Sequence, residues 1–206
     1  MVTLRPYQIE GIEQIRAAIR NKFKRVLYTL PTGGGKTTVA AEIIRCAVAK
    51  GSKIFFVAHR KELIDQTSHR LDDMGVDHGI IMADHPRRAP SKPVQVVSIQ
   101  TGIRRDLPWL PDLVFVDETH RVAGDSYRNF LSNCGDPVVV GITATPIRGD
   151  GQGLGGDLFQ TMVVGPQMSE LIEQGHLVKP RVFSWKVDLT GVKITAGDYN
   201  AGQLET

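Results

Sequence analysis

The sequence of 206 residues predicts an α/β fold, three layers deep, with a mostly parallel central sheet. Two observations carry that prediction. Strand-like segments such as Ile54–Ala58 and Val138–Thr143 are unbroken apolar runs rather than alternating ones, which suits a sheet buried on both faces. Between them lie segments whose apolar residues recur at helical spacing. Strand–helix alternation of this kind leads to right-handed crossovers between parallel strands.

The elements follow in order. Ile9, Ile12, Ile15 and Ile19 fall near helical spacing, so a helix is expected to open at Tyr7 behind Pro6. Residues 25–30 read as a short strand, ended by Pro31 and the glycines 33, 34 and 35. Val39, Ala40, Ile43, Ile44, Ala47 and Val48 mark a helix over residues 37–50, closed by Gly51. The strand Ile54–Ala58 precedes a helix striped by Leu63, Ile64, Leu71 and Met74 and stopped near Gly75. Further strands are expected at Val94–Ser98, 113–116 and Val138–Thr143, with a helix over 126–131 between the last two. Residues 148–156 are Gly-rich and polar and read as a mobile surface loop. A short helix over 169–174 and a strand-like stretch over 181–187 complete the pattern. Residues 190–206 show weak periodicity and no terminating signal, so the sequence reads as cut from something longer.

Composition narrows the class. Hydrophobic residues make up 41% and charged residues 23%, the balance of a globular chain with one substantial core. No apolar run approaches the roughly 18 residues of a membrane span, and no secretory signal is expected. Cys46 and Cys134 stand far apart, outside any Cys-x-x-Cys pair, and the six histidines are scattered. No zinc site is expected, and Cys46, three residues after Ile43, reads as a reduced thiol on a buried helix face of a cytoplasmic protein. The net charge of +3 hides an asymmetry. Residues 1–110 carry 18 Lys+Arg against 10 Asp+Glu, and residues 111–206 carry 7 against 12. Clusters such as Arg60 with Lys61, Arg87 with Arg88, and Arg104 with Arg105 are surfaces that could attract a polyanion.

The strongest local signal is Leu30-Pro31-Thr32-Gly33-Gly34-Gly35-Lys36-Thr37, set between a strand and a helix. A triphosphate needs several backbone N–H donors in a small concavity that side chains would block, and three glycines permit that approach. The start of the following helix adds partial positive charge. In this reading Thr32, Gly33, Gly34 and Gly35 cradle ATP, Lys36 reaches its outer phosphates and the Thr37 hydroxyl ligates Mg²⁺. Leu30 stands where the general pattern has glycine. Asp117 and Glu118 close an apolar strand. At the carboxyl edge of a parallel sheet, Asp117 could hold Mg²⁺ opposite Thr37, and Glu118 could deprotonate the attacking water.

The set of motifs resembles the superfamily-two helicases of DExH type. Leu30 to Thr37 resembles the family's first motif, which often lacks the leading glycine, and Asp117-Glu118-Thr119-His120 its second. Thr143-Ala144-Thr145-Pro146 resembles the third. Arg5-Pro6-Tyr7-Gln8 resembles the adenine-reading element, which implies adenine recognition by Gln8 supported by Arg5. The stretches around His59 and Arg60, and Ser98, Gln100 and Thr101, resemble motifs that grip one strand's backbone. The resemblance implies that His120 of the second motif and Thr143 and Thr145 of the third couple the nucleotide to nucleic-acid contacts.

The resemblance covers residues 4–180. It implies a RecA-like phosphate-loop domain over residues 1–180, with residues 181–206 a strand and linker towards a second RecA-like domain. The implied activity is ATP-dependent translocation and unwinding of DNA, with RNA also open. Two alternatives stand beside it: the motor of a restriction-type or remodelling translocase, and an ATP-gated nucleic-acid-binding module with little turnover.

Overall fold

The computed structural model describes residues 3–117, 125–145, 158–181, 194–195 and 198–199. The described chain opens with α1 (Pro6–Arg20), with Arg5 extended at its N-cap and Pro6 in its first turn. Proline is tolerated there because first-turn N–H groups have no intrahelical partner. Then come β1 (Arg25–Thr29), α2 (Lys36–Val48), β2 (Ile54–Ala58), α3 (Lys61–Asp73), β3 (Gly79–Ile81) and β4 (Val94–Ser98). They are followed by the single turn α4 (Ile99–Gly102), β5 (Leu113–Asp117), α5 (Asp125–Ser132), β6 (Val138–Thr143), β7 (Thr161–Val164) and α6 (Met168–Glu173). Short strands β8 (Ile194–Thr195) and β9 (Asp198–Tyr199) pair antiparallel.

Strands one to seven form one sheet in the order β3-β4-β2-β5-β6-β1-β7, and every pair is parallel. Each strand therefore ends at the same edge. Alternate side chains feed two cores, one on each face of the sheet. Val26, Tyr28, Ile54, Phe56 and Phe115 meet Ile12, Ile15, Ile44, Ile64 and Leu71 of the helices α1, α2 and α3. Leu27, Phe55, Val57, Val114 and Val116 meet Tyr127, Phe130 and Leu131 of α5 on the other face. All five residues of β2 are buried, the outcome expected of its unbroken apolar run. Burying one such side chain contributes about 1.5–3 kcal/mol before entropy is subtracted.

The structure departs from the sequence reading in four places. β3, β7 and α4 are absent from the periodicity reading. β3 has only three residues, and β7 is an edge strand whose Met162 and Val164 stay half exposed, so neither makes an apolar run. Cys46 is half-buried rather than buried: it lies at the rim of α2, with its Sγ 3.3 Å from Glu42 Oε1. The strand expected over 181–187 lies outside the described residues except for Arg181, which belongs to no regular element, and the loop over 148–156 lies wholly outside them. No helix among the described residues is long and apolar enough to cross a membrane.

Candidate nucleotide and nucleic-acid site

Strand order assembles the first half of the site. β5, β6 and β1 are neighbours, with Asp117 opposite Ile142 and Thr143 opposite Thr29. One residue on, Leu30 N donates to Thr143 O at 3.0 Å. Asp117, Thr143 and the loop of residues 30–36 thus lie side by side at the carboxyl edge, where parallel sheets bind ligands. Asp117 and Thr143 are both buried. The Thr143 hydroxyl donates to Thr145 O at 2.9 Å and accepts from Thr145 N at 3.1 Å, while Thr145 itself is exposed.

The loop needs its glycines. Gly33 and Gly35 hold φ of +82° and +90°, in the left-handed region that L side chains rarely adopt. Gly34 N closes a turn onto Pro31 O at 3.0 Å. A Cβ on Gly34 would lie 2.8 Å from Leu30 Cγ. Leu30, the departure from the general motif, is a buried plug beneath the loop, and Gly34 is its complement. Gly35 is the N-cap of α2, and no side chain caps that helix. Its first-turn N–H groups are thus left without a side-chain cap, a setting that favours an anion. Lys36 Nζ folds back to donate to Leu30 O at 3.4 Å, and Thr37 is half-buried at the helix start. Thr32 and Gly33 are exposed on the loop's outer side.

Behind the loop stands a brace. Gln8 Oε1 accepts from Arg5 N at 2.9 Å, and Gln8 Nε2 donates to Gly34 O at 3.0 Å. The Tyr7 hydroxyl donates to the same carbonyl at 2.9 Å and accepts from Arg5 Nη1 at 3.1 Å. Arg5 also reaches His176 O at 3.2 Å, and Leu177 packs over Gly33. Both amide ends of Gln8 are engaged with protein partners here. Tyr7 belongs to the motif Arg5-Pro6-Tyr7-Gln8 but was given no role of its own by the sequence, and His176 and Leu177, which follow a short helix far along the chain, were not singled out.

A second cluster forms where β2 and β4 end side by side, with Ala58 opposite Ser98. Ser98 Oγ donates to Gln100 Oε1 at 2.7 Å. Gln100 Nε2 donates to His59 O at 3.1 Å and lies 3.0 Å from His59 Nδ1. Ser98 occupies the N-cap of α4, yet its hydroxyl serves Gln100 instead of capping the helix. Arg60 is exposed at the N-cap of α3, and Thr101 lies half-buried in α4. β2 adjoins β5, so this cluster is one strand from Asp117. Glu118 and His120 lie outside the described residues.

Thr37 and Asp117 offer one hydroxyl and one carboxylate, a donor set that fits Mg²⁺, an ion that keeps most of its waters. Among the described residues no group of three His, Cys, Asp or Glu side chains could hold a metal on its own.

A family model described as type III restriction enzyme, res subunit, matches residues 1–148. The putative ATP-dependent helicase IRC3 of Saccharomyces cerevisiae is 30% identical over 98% of this chain and 32% of that protein. The DNA 3'-5' translocase XPB2 of Sulfurisphaera tokodaii is 30% identical over 73% of this chain and 33% of that one. Among solved structures, the UvsW helicase from bacteriophage T4 superposes with a TM-score of 0.64 at 17% identity, covering 79% of this chain and 60% of UvsW. That likeness shows the fold. The chain spans about a third of the length of the curated relatives it matches.

Proposed function

The chain belongs to the type III restriction enzyme res subunit family, an ATP-using family of helicase-type motors, and from that premise we propose that it is the nucleotide-binding motor domain of a DNA helicase or translocase. One observation carries the reading. The order β5-β6-β1 sets a buried carboxylate, a buried hydroxyl and a side-chain-free loop at the same edge. ATP lies with its phosphates on residues 33–37 and its adenine towards Gln8 and Arg5. To meet the base, the Gln8 amide turns from its present partners or adds to them with its second N–H. Lys36, which donates to Leu30 O at 3.4 Å, turns to the outer phosphates when the nucleotide binds.

Thr37 and Asp117 would hold Mg²⁺, which would supply charge neutralisation to the nucleotide. Glu118 accepts the proton of the attacking water. Thr143 and Thr145, next to the loop, and His120, shortly after Asp117, pass the state of the phosphates to the strand-gripping cluster. His59, Arg60, Ser98, Gln100 and Thr101 hold the sugar–phosphate backbone without reading bases. DNA as the polymer is supported by the likeness to the DNA 3'-5' translocase XPB2. Paired strand-displacement and triplex-displacement assays on the full-length protein separate unwinding from translocation along duplex.

Titration calorimetry tests the nucleotide reading. Lys36→Ala removes the one positioned ammonium, a charge-assisted contact worth on the order of 1.5–3 kcal/mol, so Mg-ATP should bind about tenfold to a hundredfold more weakly. Unchanged affinity in a folded variant would place the nucleotide elsewhere.

A further inference from the structure

Arg87 and Arg88 are adjacent but serve different ends. Arg87 is held bidentately by Asp72, with both contacts at 2.6 Å, and also reaches Ser68 Oγ at 3.3 Å. Arg88 is exposed and has no ion pair among the described residues. It lines a concavity of about 220 Å³ outside β3 and β4, and the same concavity is lined by Arg105. Arg105 is likewise exposed and without an ion pair among the described residues. Asp106 lies on the rim, so the concavity carries two cations and one anion.

The backbone that presents these arginines is pinned. Ile80 N donates to Arg87 O at 2.9 Å, and Trp109 Nε1 donates to Pro90 O at 3.1 Å. The fully buried Gln95 donates its amide nitrogen to Ala89 O at 2.8 Å and Lys92 O at 3.0 Å. Residues 87–92 are thus tied to β3, to β4 and to the turn before β5. On the other wall, the amides of Arg104 and Arg105 both donate to Thr101 O at 3.1 Å. Arg105 therefore stands one turn from the strand-gripping cluster. In sheet order, cation-bearing loops run outward from β2 through β4 to β3, away from the nucleotide edge at β1.

We propose that Arg88 and Arg105 form a second phosphate-binding site that holds the backbone of nucleic acid as it passes the outer edge of the sheet. The inference rests on the proposed grip at Ser98 and Gln100 and extends its track. Two guanidiniums on rigid loops lose less freedom on gripping a phosphate than two flexible lysines would, and each fork can chelate one. The contact is blind to sequence and carries a salt signature.

The test is fluorescence anisotropy with the full chain and a labelled duplex bearing a single-stranded tail, titrated across a salt series. Arg88→Ala and Arg105→Ala should each weaken binding severalfold at low salt and lower the slope of log affinity against log salt by about one. The double variant should lower it by about two, with Mg-ATP affinity unchanged in calorimetry. Lys50→Ala, exposed beyond the far end of α2, removes the same charge and should leave the slope alone. An equal fall in slope with Lys50→Ala would overturn the proposal, since net charge alone would then account for the effect. Unchanged slopes in both arginine variants, with Gln100→Ala still weakening binding, would overturn it and leave the functional reading standing. Failure of the parent chain to bind either probe would overturn both.

Discussion

Gly35 meets two constraints at once, and together they make it the most sensitive position of the loop. Its φ of +90° excludes ordinary side chains, and a Cβ there would collide with Gln8 Nε2, the donor that holds Gly34 O. Gly35→Ala should therefore both strain the loop and push the brace away. Thermal melting should show a loss of stability, and calorimetry a loss of Mg-ATP binding of at least the size seen for Lys36→Ala. Gly51→Ala is the matched control, because it too has positive φ but no atom within 4 Å of its Cβ. If both variants lose stability alike yet keep nucleotide affinity, the loop does not depend on this contact. Glu118→Gln tests the assignment of the base: the amide fills the same space but cannot accept a proton. Hydrolysis by the full-length protein should fall by about 10²–10⁴ with ATP binding retained. Single-turnover rates within a few-fold of the parent would remove Glu118 from that role. At this scale the sequence revealed the residues whose chemistry is local. The glycine run, Lys36 and the acid pair at a strand end announce themselves by type and spacing. The roles of His176 and Leu177 depend on distant partners, and nothing in their neighbours signals them; Tyr7 stands in a quoted motif, but its bond to Gly34 O depends on the fold.

The helix α3 and strand β3 are joined by a buried polar link that gives this corner a pH dependence. His78 is buried, its Nδ1 donating to Val76 O at 2.9 Å and its Nε2 accepting from Ser68 Oγ at 2.8 Å. Burial, aided by the nearby Arg87, holds its imidazole below the usual range, against the opposing hydrogen bond to Val76 O and the smaller pulls of Asp72 and Asp77. As pH falls through about 6.5, the unfolded chain takes up a proton that the folded chain resists, so stability falls. The contribution is complete above that pH. Asp72 adds to the trend lower down, because its hydrogen bonds to Arg87 hold the carboxyl below its usual range. That contribution is lost as the carboxylate protonates. Melting temperatures between pH 7.5 and 5.5 should decline more steeply for the parent than for His78→Gln, and parallel profiles would show that His78 is not the titrating group. Elements with a strong internal pattern were legible: Ile54–Ala58, Val94–Ser98 and Val138–Thr143 appear where the apolar runs put them. β3 and β7 were not, because each is short and gains its place from a single neighbouring strand at the edge of the sheet.

At the scale of the whole molecule, the described residues place one set of the proposed phosphate-binding and strand-gripping groups on one sheet. What the proposed chemistry still requires is a positive charge at the outer phosphate as the transition state develops. An inserted arginine contributes about 10³–10⁵ in rate in related NTPases. Arg5 lies behind the loop, against Tyr7 and His176, and Arg60 lies beyond β5 at the end of β2. Arg148 lies outside the described residues. Unwinding also needs two grips that move relative to one another as the nucleotide site closes, and a single sheet with one continuous edge offers one. Residues 1–206 alone should therefore bind Mg-ATP, hydrolyse it very slowly and separate no strands. Their nucleic-acid binding should be weak and should fall steeply with salt, as a few phosphate contacts dictate. The measurement is steady-state phosphate release by the purified chain, with and without single-stranded and duplex DNA, beside Lys36→Ala to exclude contaminating ATPases. Rapid, DNA-stimulated release that Lys36→Ala eliminates would mean that a complete catalytic site is already built on this one sheet, with its stabilising charge supplied from within the chain.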